Sequence, residues 1–143
     1  MAELLLNPTD PVAKTILGLN TDIDKYIFLI EDTQIKVIEP LLGTELYDKI
    51  LADKAASTLT GDYLTLFNDY ITFIMRYEFV AECLTLISYE LTNSGLVKKQ
   101  PEGYLVVDRD ETMRVAQNYS QKAQMYVSRF EKWIGLNPLV EYK

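Results

Sequence analysis

The sequence has no histidine, a single cysteine and only six glycines. Without histidine the commonest general base and the commonest metal ligand are both gone. A Ser-His-Asp triad cannot be assembled, and neither can the Glu-x-x-His pairs of a di-iron bundle. One cysteine, Cys83, cannot close an internal disulfide and rules out a zinc site of several thiolates. It lies in an apolar stretch and reads as a small buried hydrophobe in a reducing cell. The glycines fall at element ends, and neither G-x-x-x-x-G-K-[ST] nor G-x-G-x-x-G occurs. No cofactor and no metal is expected, and the chain is not expected to be an enzyme.

Basic residues are scarce too: 14 Lys and Arg stand against 21 Asp and Glu, a net charge of −7. An acidic surface repels phosphate backbones, which disfavours sequence-specific nucleic-acid binding. Lys98-Lys99 is the lone basic doublet, read either as two solvated lysines on a loop or as a nucleic-acid contact. Long apolar runs are missing as well. Ile71 to Leu91 is interrupted by Arg76, Glu78, Glu82 and Glu90, too many charges for a membrane span of about 20 residues. Leu4-Leu5-Leu6 is far too short for the apolar core of a signal peptide. The expectation is a soluble protein, made in the cytoplasm, with no membrane partner.

What is present is enough for one core: 48% of the 143 residues are hydrophobic, and one domain normally spans about 100–200 residues. Residues 1–20 hold Pro8, Pro11 and Gly18 without a sustained period and read as an extended arm, with at most one short turn at Val12–Leu17. A first helix starts near Thr21, a good N-cap, with Asp24 in its first turn. Its stripe is Ile23, Ile27, Ile30, Gln34, Val37 and Leu41, and Pro40 and Gly43 end or break it. Thr44 is expected to cap a shorter helix from Glu45 to about Ala56, followed by a turn-rich link, Ser57 to Gly61. The dominant element runs from Asp62 to about Thr92, with Tyr63, Phe67, Tyr70, Ile74, Tyr77, Ala81, Leu84, Ser88 and Leu91 at alternating spacings of four and three. A second flank (Leu64, Ile71, Phe79, Val80, Leu86, Ile87) requires that this helix be covered on several sides.

Residues 96–107 change character around Pro101-Glu102-Gly103 and read as a small β-hairpin or an irregular projecting loop. A last helix begins near Asp108 or Asp110 and ends at Gly135 and Asn137-Pro138. The tail 136–143 carries apolar side chains with no helix to sit on. The fold class is therefore all-α: a helical bundle domain over 21–135, made of three long helices and one short one, with the arm, the loop and the tail outside its core.

Three side-chain groups carry alternatives. Glu78 and Glu82 share a helix face and are either a functional carboxylate pair or charges answered by Arg76 or a neighbouring lysine. Many of the ten tyrosines fall on the apolar stripes, where packing with the hydroxyl at a wet rim is expected. Trp133 is either a core plug or an interface anchor.

The order of signals resembles a known family. An amphipathic helix runs into Ile38-Glu39-Pro40-Leu41-Leu42-Gly43-Thr44-Glu45-Leu46-Tyr47-Asp48. A long tyrosine-rich helix ends in Leu91-Thr92-Asn93-Ser94-Gly95-Leu96-Val97, and a final helix carries Tyr119, Ala123 and Tyr126. This is similar to the head-to-tail connector (adaptor ring) proteins of tailed bacteriophages, especially those infecting gut Bacteroidales, over about Thr21 to Ile134. The resemblance implies a structural virion protein at the head-tail junction, docked in many copies, typically twelve, under the portal. Such a ring extends the DNA channel and offers a platform to tail components. Its partners would be copies of itself, the portal protein and the adjacent tail or ring proteins, with DNA passing through unread. By matching position, the contacts would fall on the arm (Pro8, Pro11), the loop (Lys98, Lys99, Tyr104), the helix end (Trp133) and the tail (Leu139, Val140, Tyr142). The alternative is a non-viral helical binding module or scaffold for a cellular protein.

Overall fold

The computed structural model describes residues 3–17, 23–94 and 109–143. Within them the chain is helical and contains no strand. The hairpin or loop expected at 96–107, and the cap expected at Thr21, lie outside the described residues.

The arm is not wholly extended. Asn7 opens a turn in which its side-chain oxygen accepts from the Thr9 backbone N–H and hydroxyl at 3.0 and 2.9 Å. A short helix comes next, α1 (Thr9–Lys14), which buries Pro11. After a 3₁₀ turn (Ile23–Tyr26), one helical run continues through α2 (Phe28–Thr33), a π turn (Gln34–Ile38) and α3 (Glu39–Leu42). Pro40 does not end this run but sits in the first turn of α3. A proline ring collides with the carbonyl four residues back, and the turn is widened just before it: the Glu39 N–H donates to Gln34, five residues back. The helix stops at Gly43, whose φ of +83° favours glycine although space around its Cα is open.

Thr44 belongs to the next helix, α4 (Thr44–Ala55), and makes no side-chain cap; Gly43 holds the cap position. A threonine hydroxyl caps only from a residue outside the helix, and the glycine corner has taken that place. The far end of α4 closes with Ser57 at φ +57°. The Ser57 N–H donates to Lys54 and the Thr58 N–H to Asp53, the hydrogen-bond pair of a Schellman stop, with serine where glycine is usual.

A second continuous run forms the spine: α5 (Gly61–Leu66), a π turn (Phe67–Ile71) and α6 (Thr72–Ser94). At this π turn the Thr72 N–H and hydroxyl both donate to the Phe67 carbonyl. The expected stripe is displaced upstream of it: Leu66 is fully buried, while Phe67 and Tyr63 are half-buried and Leu64 is exposed. Further along, Ile71, Ile74, Met75, Phe79, Val80 and Cys83 are all at or below 1% exposure. These positions take up most of the circumference, as the breadth of the apolar face requires.

The last helix, α7 (Arg109–Leu136), packs along α6 over its length. The pairing is antiparallel: Ser88 meets Met113, Tyr77 stacks on Tyr119 and Tyr126, and Tyr70 on Trp133. α2 also packs on α6. No helix of the described residues is long and apolar enough to cross a membrane. Cys83 is buried, and burial pushes its thiol up to about 12.

The Schellman stop supplies a check on this geometry. A left-handed non-glycine residue costs about 1–2 kcal/mol, and glycine gives part of that back as extra freedom in the unfolded chain. Ser57→Gly should therefore stabilise the fold by about 0.5–1 kcal/mol, read as a higher urea midpoint with an unchanged slope.

Candidate protein-interaction surfaces

The arm is seated on the body by three polar anchors over an apolar floor. Leu5 and Leu6 are each 1% exposed, and burying a leucine is worth about 2 kcal/mol. Between them and the body lies Gln34, itself fully buried. Its side-chain oxygen accepts from the Leu5 backbone N–H, and its Nε2 donates to the Glu3 carbonyl at 3.1 Å and to the Tyr47 hydroxyl at 3.4 Å. The second anchor is Arg76, whose Nε and Nη2 donate to the two carboxylate oxygens of Asp10 at 2.6 and 3.1 Å. Both side chains are nearly buried, and the Asp10 hydrogen bond holds the guanidinium above its ordinary pKa. The third joins the Ile16 N–H to the Tyr119 hydroxyl at 3.0 Å. Lys54 adds a half-exposed pair with Glu3 at 2.8 Å.

The tail is also held. Asn137 ends α7 by donating from its backbone and side-chain nitrogens to the Trp133 carbonyl, at 2.8 and 3.0 Å. Leu139 is buried, and Tyr142 meets Phe130 edge-to-face, with centroids 5.8 Å apart. The Tyr63 hydroxyl donates to Glu141 at 2.6 Å. That hydrogen bond, then burial and the Glu141 charge, push the phenol up to about 12. Lys143 reaches Glu45 at 2.9 Å, with both groups exposed.

Half-buried aromatic rings fill the edge of the α6–α7 seam. Phe73 stacks on Tyr126 at 4.7 Å with the planes 7° apart, and Tyr77 bridges Tyr119 and Tyr126. Cations lie over these rings: Arg76 over Phe73 at 4.7 Å, Lys122 over Tyr77 and Tyr119 at 5.4 Å each, and Arg129 over Tyr126 at 5.3 Å.

The expected contact residues thus divide. Pro11 and Leu139 are buried within the chain's own fold, and Tyr142 is turned onto Phe130. Pro8 is half-buried at the head of α1. Trp133 is half-buried against Tyr70, centroids 5.3 Å apart, so it packs on the spine and still shows an edge. Val140 is 76% exposed, beside Leu136 at 83%. Lys98, Lys99 and Tyr104 lie outside the described residues. The carboxylate pair is answered from a neighbouring helix: Lys36 meets Glu82 at 2.7 Å, which raises the lysine pKa. Glu78 is pushed above its usual range by burial first, then by Glu82. No group of three Asp, Glu, His or Cys among the described residues is placed to hold a metal.

Two features have no clear sequence signal. Gln34 falls on an apolar stripe, and a polar residue in such a place is the only hint of a buried amide needing partners. The Asp10–Arg76 pair joins residues 66 apart, which no local spacing can announce.

Over the described residues the fold and these surfaces define a helical protein whose arm and tail are bound back onto the body. A family model matches residues 38–143, from the end of the first π turn through the tail, and the chain belongs to that family, DUF6712, a family of unknown function. No curated protein and no solved structure matches the chain.

The anchors lead to two expected outcomes. Removing one member of a buried ion pair strands the other, so Asp10→Ala should cost about 3 kcal/mol, and the double variant Asp10→Ala/Arg76→Met should recover most of it; urea titration of the wild type and the two variants measures this. The Tyr63 phenol has a folded pKa above its ordinary 10.0, so its contribution is complete below about pH 10 and is lost as pH rises toward 12. The stability gap between wild type and Tyr63→Phe should be flat up to pH 10 and close above it.

Proposed function

We propose that the chain is a structural subunit of the ring that joins head to tail in a tailed bacteriophage, placed below the portal and working by packing rather than by catalysis. The observation that carries this reading is the order of its motifs. The segment Pro40-x-x-Gly43-x-x-x-Tyr47-Asp48 forms the α3–α4 corner, with Gly43 at positive φ and Tyr47 buried. The tyrosine-rich spine and a long final helix then come in the order of the connector proteins it resembles.

The body supports the reading through its rigidity. A spine packed against both α2 and α7 gives a stiff body that can repeat around an axis. The arm and tail are held at discrete anchors, and segments of this kind can exchange an intramolecular seat for the same seat on a neighbour. The net charge of −7 suits a bore that DNA crosses without adhering.

Negative-stain imaging of the purified protein, alone and mixed with portal rings from a Bacteroidales phage, tests the proposal. Closed rings of about a dozen copies, alone or stacked coaxially on the portal, are expected. A chain that remains monomeric and shows no affinity for any portal would instead fit a helical binding module for a cellular protein.

A further inference from the structure

Charge is unevenly distributed along this acidic chain. From Arg114 to Leu136 the outer helix holds four cations, Arg114, Lys122, Arg129 and Lys132, against one acid, Glu131. That segment is net +3, so the remainder of the chain is −10 (−7 − 3). Lys122 and Arg129 rest on aromatic faces, and neither forms an ion pair among the described residues. Between them, three residues after one and four before the other, Met125 is 50% exposed. Residues at these spacings share a helix face, so α7 presents an apolar knob flanked by two cations.

A surface on α2 carries the complement. A hollow of about 390 Å³ opens beside α2, lined by Leu29, Ile35, Asp32, Thr33, Lys36 and Glu82. Its apolar wall includes Ile35, 52% exposed, and Phe28 at 56% stands one turn before Asp32. The Thr33 hydroxyl is buried there without a hydrogen-bond partner. Lys36 is taken up by Glu82, which leaves Asp32 to set the sign of the rim. The hollow lies beside α2 and the knob on α7, so the two are separate surfaces.

We infer that the α2 hollow receives the Met125 knob of a second copy of this chain, with the cations Lys122 and Arg129 of that copy drawn to Asp32 on the rim. Because the two faces are different, the contact is heterologous. Each copy donates a knob and accepts one, and the assembly grows into a ring or an open filament rather than stopping at a symmetric dimer. The inference rests on the ring reading for its biological setting but is tested independently of any portal.

The experiment uses the full chain and two variants with substitutions on exposed side chains. One, Lys122→Glu/Arg129→Glu, spoils the knob; the other, Asp32→Lys/Ile35→Lys, spoils the hollow. Circular dichroism checks that both keep the wild-type helix content, and Met125→Asp probes the knob face separately. Sedimentation velocity of the wild type up to about 1 mM should show mass rising with concentration, and less so at high salt. Each variant alone should associate at least tenfold more weakly. Mixed one to one they should form a dimer that grows no further, since each retains one intact face. Wild type and mixture that both stay monomeric, or variants that associate as the wild type does, would overturn the inference. Rings that survive both variants would remove this interface and leave the ring reading standing. Variant-sensitive filaments that never close would keep the interface and remove the ring.

Discussion

A side-chain amide sealed from water must find partners for its oxygen and its nitrogen, and an unpaired group of this kind costs about 1–3 kcal/mol. Gln34 is fully buried, and the way it is satisfied organises one end of the molecule. It takes the Leu5 N–H and gives hydrogen bonds to Glu3 and Tyr47, so one side chain ties together the arm, the first helical run and α4. It sits where the first π turn begins. Leu5 and Leu6 are in place because the backbone between them and the body has that amide to bind.

The α6–α7 seam depends on aromatic stacking. Rings from Tyr119 to Trp133 line the edge of the α6–α7 seam, over buried Ala116, Ala123, Phe130 and Ile134 of α7. Tilted and edge-on ring pairs add about 0.5–1.5 kcal/mol beyond the area they bury. Rings also tolerate a wet edge, so cations can cover them, and that is how the outer surface of α7 becomes basic in an acidic protein. Surface charge and core packing share the same side chains along this seam. In the ring we propose, the basic and acidic sides would provide the polarity that a repeating contact needs.

The candidate surfaces are legible in the sequence only in part. The arm and the tail stand out as segments without a helical period, and the structure shows both held to the body. Sequence alone leaves Trp133 open between plug and anchor, and its half-buried seat on Tyr70 satisfies part of each description. Val140 and Leu136 are exposed, whereas Leu139 next to them is buried; nothing local distinguishes the three. The basic stripe on α7 can be counted in the sequence, but its meaning depends on which other surfaces the fold leaves exposed.

The sequence by itself determined that the fold is helical, where the long helices run and which of them is central, because periodicity and breadth of an apolar face are local properties of a chain. It also placed the corner at Gly43 and the stop at Asn137-Pro138, since positive φ and a missing N–H act on the residue that carries them. Only the tertiary structure decided the register. Each π turn inserts one residue and rotates the downstream helix by about 100°. The stripe extrapolated through Val37 and Leu41 is accordingly buried one residue later, at Ile38 and Leu42, and upstream of the second π turn Leu66 replaces Phe67. Tertiary structure alone also brought Asp10 to Arg76 and Leu5 to Gln34, because a buried charge or amide selects its partner by distance in space, whatever the separation along the chain.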